Sequence, residues 1–291
     1  MIERALHRTA AAEDFVALAK PGIVSLVLIT TLAGLYVGHR GLPGPALIFW
    51  TLLGTGLAAA GSAALNNFFD RDIDGLMHRT RTRPLPGGTI DPGSALAFAV
   101  TLVVLSFLTL SAFVNALSAF LALAAVLSYA ILYTLVLKRR TPLATEIGGI
   151  AGALPPVIGV AAVQGRIGVE ALILFLIMFV WQPPHFWALA VRHEDDYRRA
   201  GIPVLPVASG LFETKVKTLS YTAALLPISL FPYFYGIVGP AYLITASALS
   251  LAFLGMALRF FISQKTQASS LFSFSIVYLA LLFAVMTFDL L

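Results

Sequence analysis

Residues 45–74 read PALIFWTLLGTGLAAAGSAALNNFFDRDID. The first part, 45–65, is apolar or small throughout and long enough to cross a hydrocarbon core of about 30 Å. Directly behind it, Asn66, Asp70 and Asp74 recur at a strict four-residue interval. On an α-helix such a step advances about 400°, so the three side chains drift only about 40° each time along a stripe roughly 12 Å long. Three oxygen-bearing side chains in a row at the mouth of a membrane helix suit a hard cation such as Mg²⁺, and such ions hold phosphate groups.

The same apolar pattern recurs along the chain. Hydrophobic residues make up 59% of the 291 and charged residues 11%, against about a quarter charged in soluble domains. Mean hydropathy is +0.90. Nine stretches are long enough to span: about 22–39, 45–65, 93–113, 116–137, 145–164, 169–190, 219–238, 240–262 and 271–290. The sequence therefore predicts an all-α integral membrane protein in which residues 1–291 form one polytopic unit, with a bundle interior for a core.

Basic residues set the orientation. With the N-terminus cytoplasmic, all Lys and Arg except Arg40 and Arg166 fall on the cytoplasmic side, as the positive-inside rule requires. Arg4, Arg8 and Lys20 belong to a cytoplasmic segment 1–20, which shows no secretory h-region and in which 11–20 suits a short interfacial helix leading into Pro21. The expected location is the bacterial cytoplasmic (inner) membrane, multi-pass. The net charge of +5 is then topological, and no basic face on a soluble module points to nucleic acid. With no cysteine in the chain, disulfides, thiolate ligands and haem attachment through C-x-x-C-H are excluded.

Two cytoplasmic connections, 66–92 and 191–218, are long and chemically loaded, whereas the outer loops are short. The first continues through Arg79, Arg81, Arg83 and Pro84; the second carries Glu194, Asp195, Asp196, Tyr197, Arg198 and Arg199. Both follow an even-numbered span and cluster Asp with Arg, which suggests a duplicated helical unit whose loops face one cavity open to the cytoplasmic side. Holding spans in place needs arginines but no three-membered oxygen stripe, so the first loop reads as an active site.

The residues also match a family. Asn66-Asn67 through Asp70-Arg71-Asp72-Ile73-Asp74, followed by Arg79-Thr80 and Arg83-Pro84-Leu85, resembles the first aspartate motif of UbiA-type intramembrane prenyltransferases. Four further stretches are similar to the haem O synthase (protoheme IX farnesyltransferase) branch: Tyr133-Thr134 with Leu137-Lys138-Arg139; Gly148-Gly149 with Pro155-Pro156; Pro184-His185-Phe186-Trp187; and Asp195-Asp196-Tyr197 with Gly201-Ile202-Pro203. Ala144, Glu146 and Val160 depart from that branch, and Glu146 is expected to bridge to Lys138 or Arg139 as a structural ion pair.

The resemblance implies transfer of farnesyl from farnesyl diphosphate to the vinyl group of haem B, followed by capture of the new cation by water, with a haem A synthase as a further partner. Asn66, Asp70 and Asp74 would hold one Mg²⁺ and Asp195 with Asp196 a second, while Arg71, Arg79, Arg83 and Lys138 clamp the diphosphate, where charge develops as the bond breaks. Asn67, Tyr133, His185 and Tyr197 are expected around the acceptor. His185, behind two prolines inside a span, is either a substrate contact or a helix–helix hydrogen-bond partner. Tyr197 either shields the cation or anchors at the interface. His78 and His193 are expected to be solvated. Two other readings fit the composition: prenylation of an aromatic quinone or chlorophyll precursor, and a multispan permease. A permease should carry its ionisable groups near mid-membrane, where this chain has almost none.

Overall fold

The computed structural model describes residues 12–263 and 265–291; Arg4 and Arg8 lie outside them. Among the described residues the secondary structure is helical, apart from one isolated β-bridge between Val238 and Leu290. A short helix α1 (Ala12–Ala19) lies against the first spans and buries Leu18. Pro21 then opens α2 (Pro21–His39), as the Lys20-Pro21 pair predicts. There follow α3 (Pro45–Phe69), a single turn α4 (Arg71–Asp74), α5 (Pro92–Phe113) and α6 (Ala116–Leu127), which runs on as a π-helix, Ser128–Leu137. The second half holds α7 (Ala144–Gln164), α8 (Val169–Arg192), the short α9 (Glu194–Arg199) and α10 (Leu205–Ala208), then α11 (Gly210–Phe234), α12 (Pro240–Ile262) and α13 (Gln267–Phe288).

Among the described residues eight helices are long and apolar enough to cross a membrane: α2, α3, α5, α6 with its π-helical extension, α7, α8, α12 and α13. The expected count was nine. The difference is α11, where the sequence places a span at 219–238. That helix starts earlier, contains Pro227 and Pro232, and carries Glu213, Lys215 and Lys217 in its first turns. Large apolar side chains such as Ile244, Ile262 and Phe212 point outward, the reverse of a soluble protein and what a lipid solvent requires.

Packing centres on α7 and α8. Gly34 and Gly159 let α2 and α7 touch backbone to backbone: a Cβ on Gly34 would sit 2.1 Å from the Pro156 carbonyl oxygen, and one on Gly159 2.2 Å from that of Thr31. On the other side of α8 stand α11 and α13, with α12 packed against both. The largest buried cluster, with Trp181, Tyr242, Phe253 and Tyr278, fills this half. The seam of α2 and α7 leads to the ends of α3, α6 and α8 where the polar residues collect.

Candidate functional site

Asn66 and Asn67 form the last turn of α3 rather than the start of a loop. The Asp70 amide donates to the Asn66 carbonyl (2.9 Å) and the Asp74 amide to the Asp70 carbonyl (2.8 Å), so the helical repeat runs through the motif and its three side chains share one face as the spacing predicts. Their surroundings differ from the expected water-facing mouth. Relative exposure is 4% for Asn66, 0% for Asp70 and 2% for Asp74: Lys20, Thr134 and Lys138 close on the first two, and Thr80 and Arg83 on the third.

Two buried carboxylates need cations nearby. Lys138 Nζ donates to Asp70 Oδ2 at 2.5 Å and Arg83 Nη1 to Asp74 Oδ2 at 2.6 Å. Arg139 Nη2 stands 3.9 Å from Asp70 Oδ1. Lys20 Nζ donates to Asn66 Oδ1 at 2.7 Å, while Asn66 Nδ2 donates to Asp70 Oδ2 at 2.7 Å and to Thr134 Oγ1 at 3.1 Å. Burial, reinforced by the positive charges of Arg83 and Lys138, pushes the Lys20 ammonium down to about 7 against the pull of Asp74 and Asp70. The row of oxygens is thus met by a cap of protein cations.

Local geometry puts these cations in place. Lys20 lies at the crook between α1 and α2 with φ 51°, a left-handed conformation a lysine adopts only at a cost. Lys138 ends the π-helix, where its amide reaches the Tyr133 carbonyl five residues back (2.8 Å). The wider π turn puts Thr134 against Asn66 and Lys138 against Asp70 on one face; π segments are frequent at functional sites. Tyr129 and Tyr133 stack in parallel at 5.4 Å below them. The Tyr133 ring occupies the space that a side chain on Gly148 would fill, since a Cβ there would lie 2.5 Å from Tyr133 Cδ2.

Other expected residues lie elsewhere. Arg71 is exposed and turned away from the stripe: it donates to the Phe68 carbonyl at 2.6 Å and covers the Phe68 ring at 4.5 Å. With Asp72, Arg139 and Phe69 it borders a cavity of about 500 Å³ on the flank of α3 and the π-helix. Asn67 is buried and donates to the Leu18 and Ala63 carbonyls, which ties α1 down. Glu146 pairs with Lys217 of α11 (3.3 Å), not with Lys138 or Arg139.

The two long loops do converge. Asp196 Oδ1 accepts from the His78 amide (3.1 Å) and from Arg199 (3.2 Å), and Oδ2 from the Arg79 amide (3.2 Å). Burial alone would push the Asp196 carboxyl up, but the two amides and Arg199 outweigh it and hold it below the usual range. Ile73, Met77 and Ile202 bury one another beneath, with Tyr197 and Val204 alongside. Asp195 is exposed. His78 is exposed, as expected, while His193 is half-buried, and burial followed by the charges of Arg79 and Arg192 holds its imidazole below the usual value.

His185 projects from α8 toward α13 between two rings, Trp181 at 4.7 Å and Phe272 at 4.6 Å. Its Nδ1 lies 2.7 Å from Ser275 Oγ, whose own hydrogen goes to the Phe272 carbonyl at 2.6 Å. Nδ1 must therefore be the donor, which leaves the lone pair on Nε2.

The site offers a divalent ion the right chemistry. Among the described residues no three His, Asp or Glu side chains gather into a complete ion site. Yet Asp70 Oδ1 is buried without a hydrogen-bond partner, an acceptor left open beside a row of hard oxygen donors, which fits Mg²⁺ completed by phosphate oxygens. Reading the sequence alone missed Lys20, Arg139, Thr134 and Tyr129. Lys20 had a signal in its lysine–proline junction, Arg139 in its adjacency to Lys138 and Thr134 in the family-like Tyr133-Thr134 pair; Tyr129 and the π-helix had none.

Comparison with known proteins agrees with this geometry. Residues 27–285 match the UbiA prenyltransferase family. The chain is 58% identical over 277 residues to the protoheme IX farnesyltransferase of Aquifex aeolicus, covering 95% of both chains. It is 46% identical over 283 residues to protoheme IX farnesyltransferase 1 of Pseudomonas putida, covering 97% of this chain and 95% of that one. Among solved structures it superposes on one from work on digeranylgeranylglyceryl phosphate synthase (TM-score 0.80, 19% identity, 95% of this chain and 97% of that one). It also superposes on an Archaeoglobus fulgidus UbiA homologue bound to GPP and Mg²⁺ (TM-score 0.63, 17% identity, 94% and 99%). The chain belongs to the UbiA prenyltransferase family, and it is a multi-pass membrane enzyme.

Proposed function

We propose that this UbiA-family prenyltransferase moves the farnesyl group of farnesyl diphosphate onto the vinyl group of haem B, giving haem O. The observation that carries the reading is the buried Asn66–Asp70–Asp74 row roofed by Lys20, Arg83 and Lys138. Such a row suits the diphosphate end of an apolar substrate whose tail lies among the helices. The acceptor follows from the relatives' shared name at up to 58% identity, and from His185, whose Nε2 lone pair suits a porphyrin iron.

Asn66, Asp70 and Asp74 would hold Mg²⁺, with Asp195 contributing to a second ion. When bound, the metal neutralises diphosphate oxygens as the leaving group departs. The chain's own cations act at the same place: Lys20, Lys138 and Arg83 hold the diphosphate, and Arg79 on the covering segment adds a fourth positive charge. Tyr129 and Tyr133 shield the allylic carbon from water with their ring faces. No strong protein nucleophile is required, because the vinyl group is itself electron-rich.

The protein would sit in the bacterial inner membrane as a single domain with its N-terminus and both long loops cytoplasmic and the cavity open on that side. On this reading α11 is the ninth span. Its Thr214, Thr218, Thr222 and Ser229 hydroxyls each donate to the carbonyl four residues back, so their polarity is satisfied within the helix. A haem A synthase is the expected recipient of the product.

An acceptor competition tests the proposal. Purified protein with farnesyl diphosphate and Mg²⁺, given haem B and 4-hydroxybenzoate together, should prenylate the porphyrin alone. Prenylation of the phenol alone would move the chain to quinone synthesis.

A further inference from the structure

We infer that Asp196 is a positioning residue that clamps the first cytoplasmic loop over the diphosphate site, and is not a metal ligand. The inference rests on reading the first loop as the cover of that site. The family-like pattern offers Asp195 and Asp196 as an acidic pair for a second ion, but the two residues are differently placed. Asp195 is exposed. Asp196 has both oxygens engaged by successive backbone amides, those of His78 and Arg79, and Oδ1 also takes Arg199. These amides lie 118 and 117 residues away in the chain, so the contact joins the two halves of the protein.

Two consecutive N–H groups converging on one carboxylate form an anion cradle of the kind that otherwise receives a phosphate or a helix-capping oxygen. Charge-assisted hydrogen bonds of this type are about twice as strong as neutral ones. An ion could claim Asp196 only by displacing the two backbone amides and Arg199 that already hold both of its oxygens. The apolar seam of Ile73, Met77 and Ile202 lies under the same junction, so the clamp and the seam hold the loops as one body.

What the clamp positions is visible from the chain that follows it. Arg79 is the residue whose amide is held. Thr80, next along, donates to the Asp74 carbonyl at 2.9 Å, and Arg83 reaches Asp74 Oδ2. The second loop therefore acts on the diphosphate site through the first, by setting where Arg79, Thr80 and Arg83 stand. Asp196 needs no contact with substrate to matter.

The test is hydrogen exchange on the full-length protein in detergent, read on peptides covering 75–83, with chelator and then with Mg²⁺ alone. The clamp predicts that the His78 and Arg79 amides are protected without metal and stay protected when Mg²⁺ is added. In Asp196→Asn, exchange at these two amides should rise by about tenfold or more, the scale of one lost charge-assisted bond, while peptides of α8 stay unchanged. Turnover of the variant should fall at every Mg²⁺ concentration without a change in half-saturation. Loss of protection in the unmodified protein on adding Mg²⁺ would overturn the inference. So would unchanged exchange in Asp196→Asn, or recovery of its turnover at high Mg²⁺. If the variant does not accumulate as folded protein, the Mg²⁺ arm on the unmodified chain decides. Because exchange is read without substrate, it is independent of which acceptor the enzyme uses.

Discussion

Replacing Asp70 by asparagine removes one charge at the centre of the site and almost nothing else. The amide keeps the volume and can still meet Asn66 Nδ2, now 2.7 Å from Oδ2. What is lost is the partner of Lys138 at 2.5 Å and the open Oδ1 offered to an ion. At an effective dielectric near 20, two unit charges 4 Å apart interact by about 4 kcal/mol. If that interaction is made with the metal–diphosphate unit as charge separates, its loss lowers turnover about 10³-fold at 1.4 kcal/mol per decade. The fold pays as well, because Lys138, with its side chain only 13% exposed, is left without its buried counter-charge. Breaking one side of a buried pair costs about 3–5 kcal/mol. Removing both sides, in Asp70→Asn with Lys138→Met, should recover much of that loss in thermal stability without recovering activity. The assays are prenyl transfer against Mg²⁺ concentration and thermal unfolding of the single and double variants. Asp70→Asn with normal turnover at the usual Mg²⁺ requirement, or a double variant no more stable than the single one, would refute the reasoning.

Lys20→Met should raise KM for the prenyl diphosphate by about ten- to a hundredfold, as expected for one charge-assisted contact, with a smaller effect on kcat; steady-state kinetics checks it. Gly148→Ala puts a methyl 2.5 Å from Tyr133 Cδ2, so it should displace the ring and lower turnover with a stability cost of about 1–3 kcal/mol, followed by activity and melting. His185→Ala should abolish the perturbation of haem B absorbance on titration while leaving prenyl diphosphate binding intact, and an unchanged spectrum would remove the iron contact. Glu146→Gln should leave turnover within about twofold, since Lys217 is partly exposed and can turn to solvent; a large loss would bring Glu146 into the site.

The spans were legible because burial in lipid demands about twenty apolar residues in a row, and eight of the nine expected stretches have both ends within four residues of the helices observed. Two stretches, 45–65 and 219–238, depart from the helices for different reasons. The first is longer than expected because Asn66 and Asn67 are polar yet helical and buried. The second carries hydroxyls, prolines and charges that dilute its apolar signal. The oxygen stripe was legible from its period alone. Its burial was not, since that depends on Lys20, Thr134 and Lys138, which the fold brings to the stripe from far along the chain. Nor was the choice between neighbours: Arg71 turns to Phe68 and Arg139 comes toward Asp70, a matter of helix phase at a turn. The π-helix that lines up Thr134 and Lys138 costs local hydrogen-bond geometry and has no sequence signature strong enough to announce it.

The most direct test of the account is the product itself. Purified protein is incubated with haem B, farnesyl diphosphate and Mg²⁺ in water enriched in heavy oxygen, and the porphyrins are examined by mass spectrometry. The account predicts a product equal to haem B plus a farnesyl group plus one hydroxyl, whose oxygen carries the heavy label because water captures the cation. Unmodified haem B in the presence of turned-over farnesyl diphosphate, or a farnesylated porphyrin whose hydroxyl oxygen is unlabelled, would contradict it.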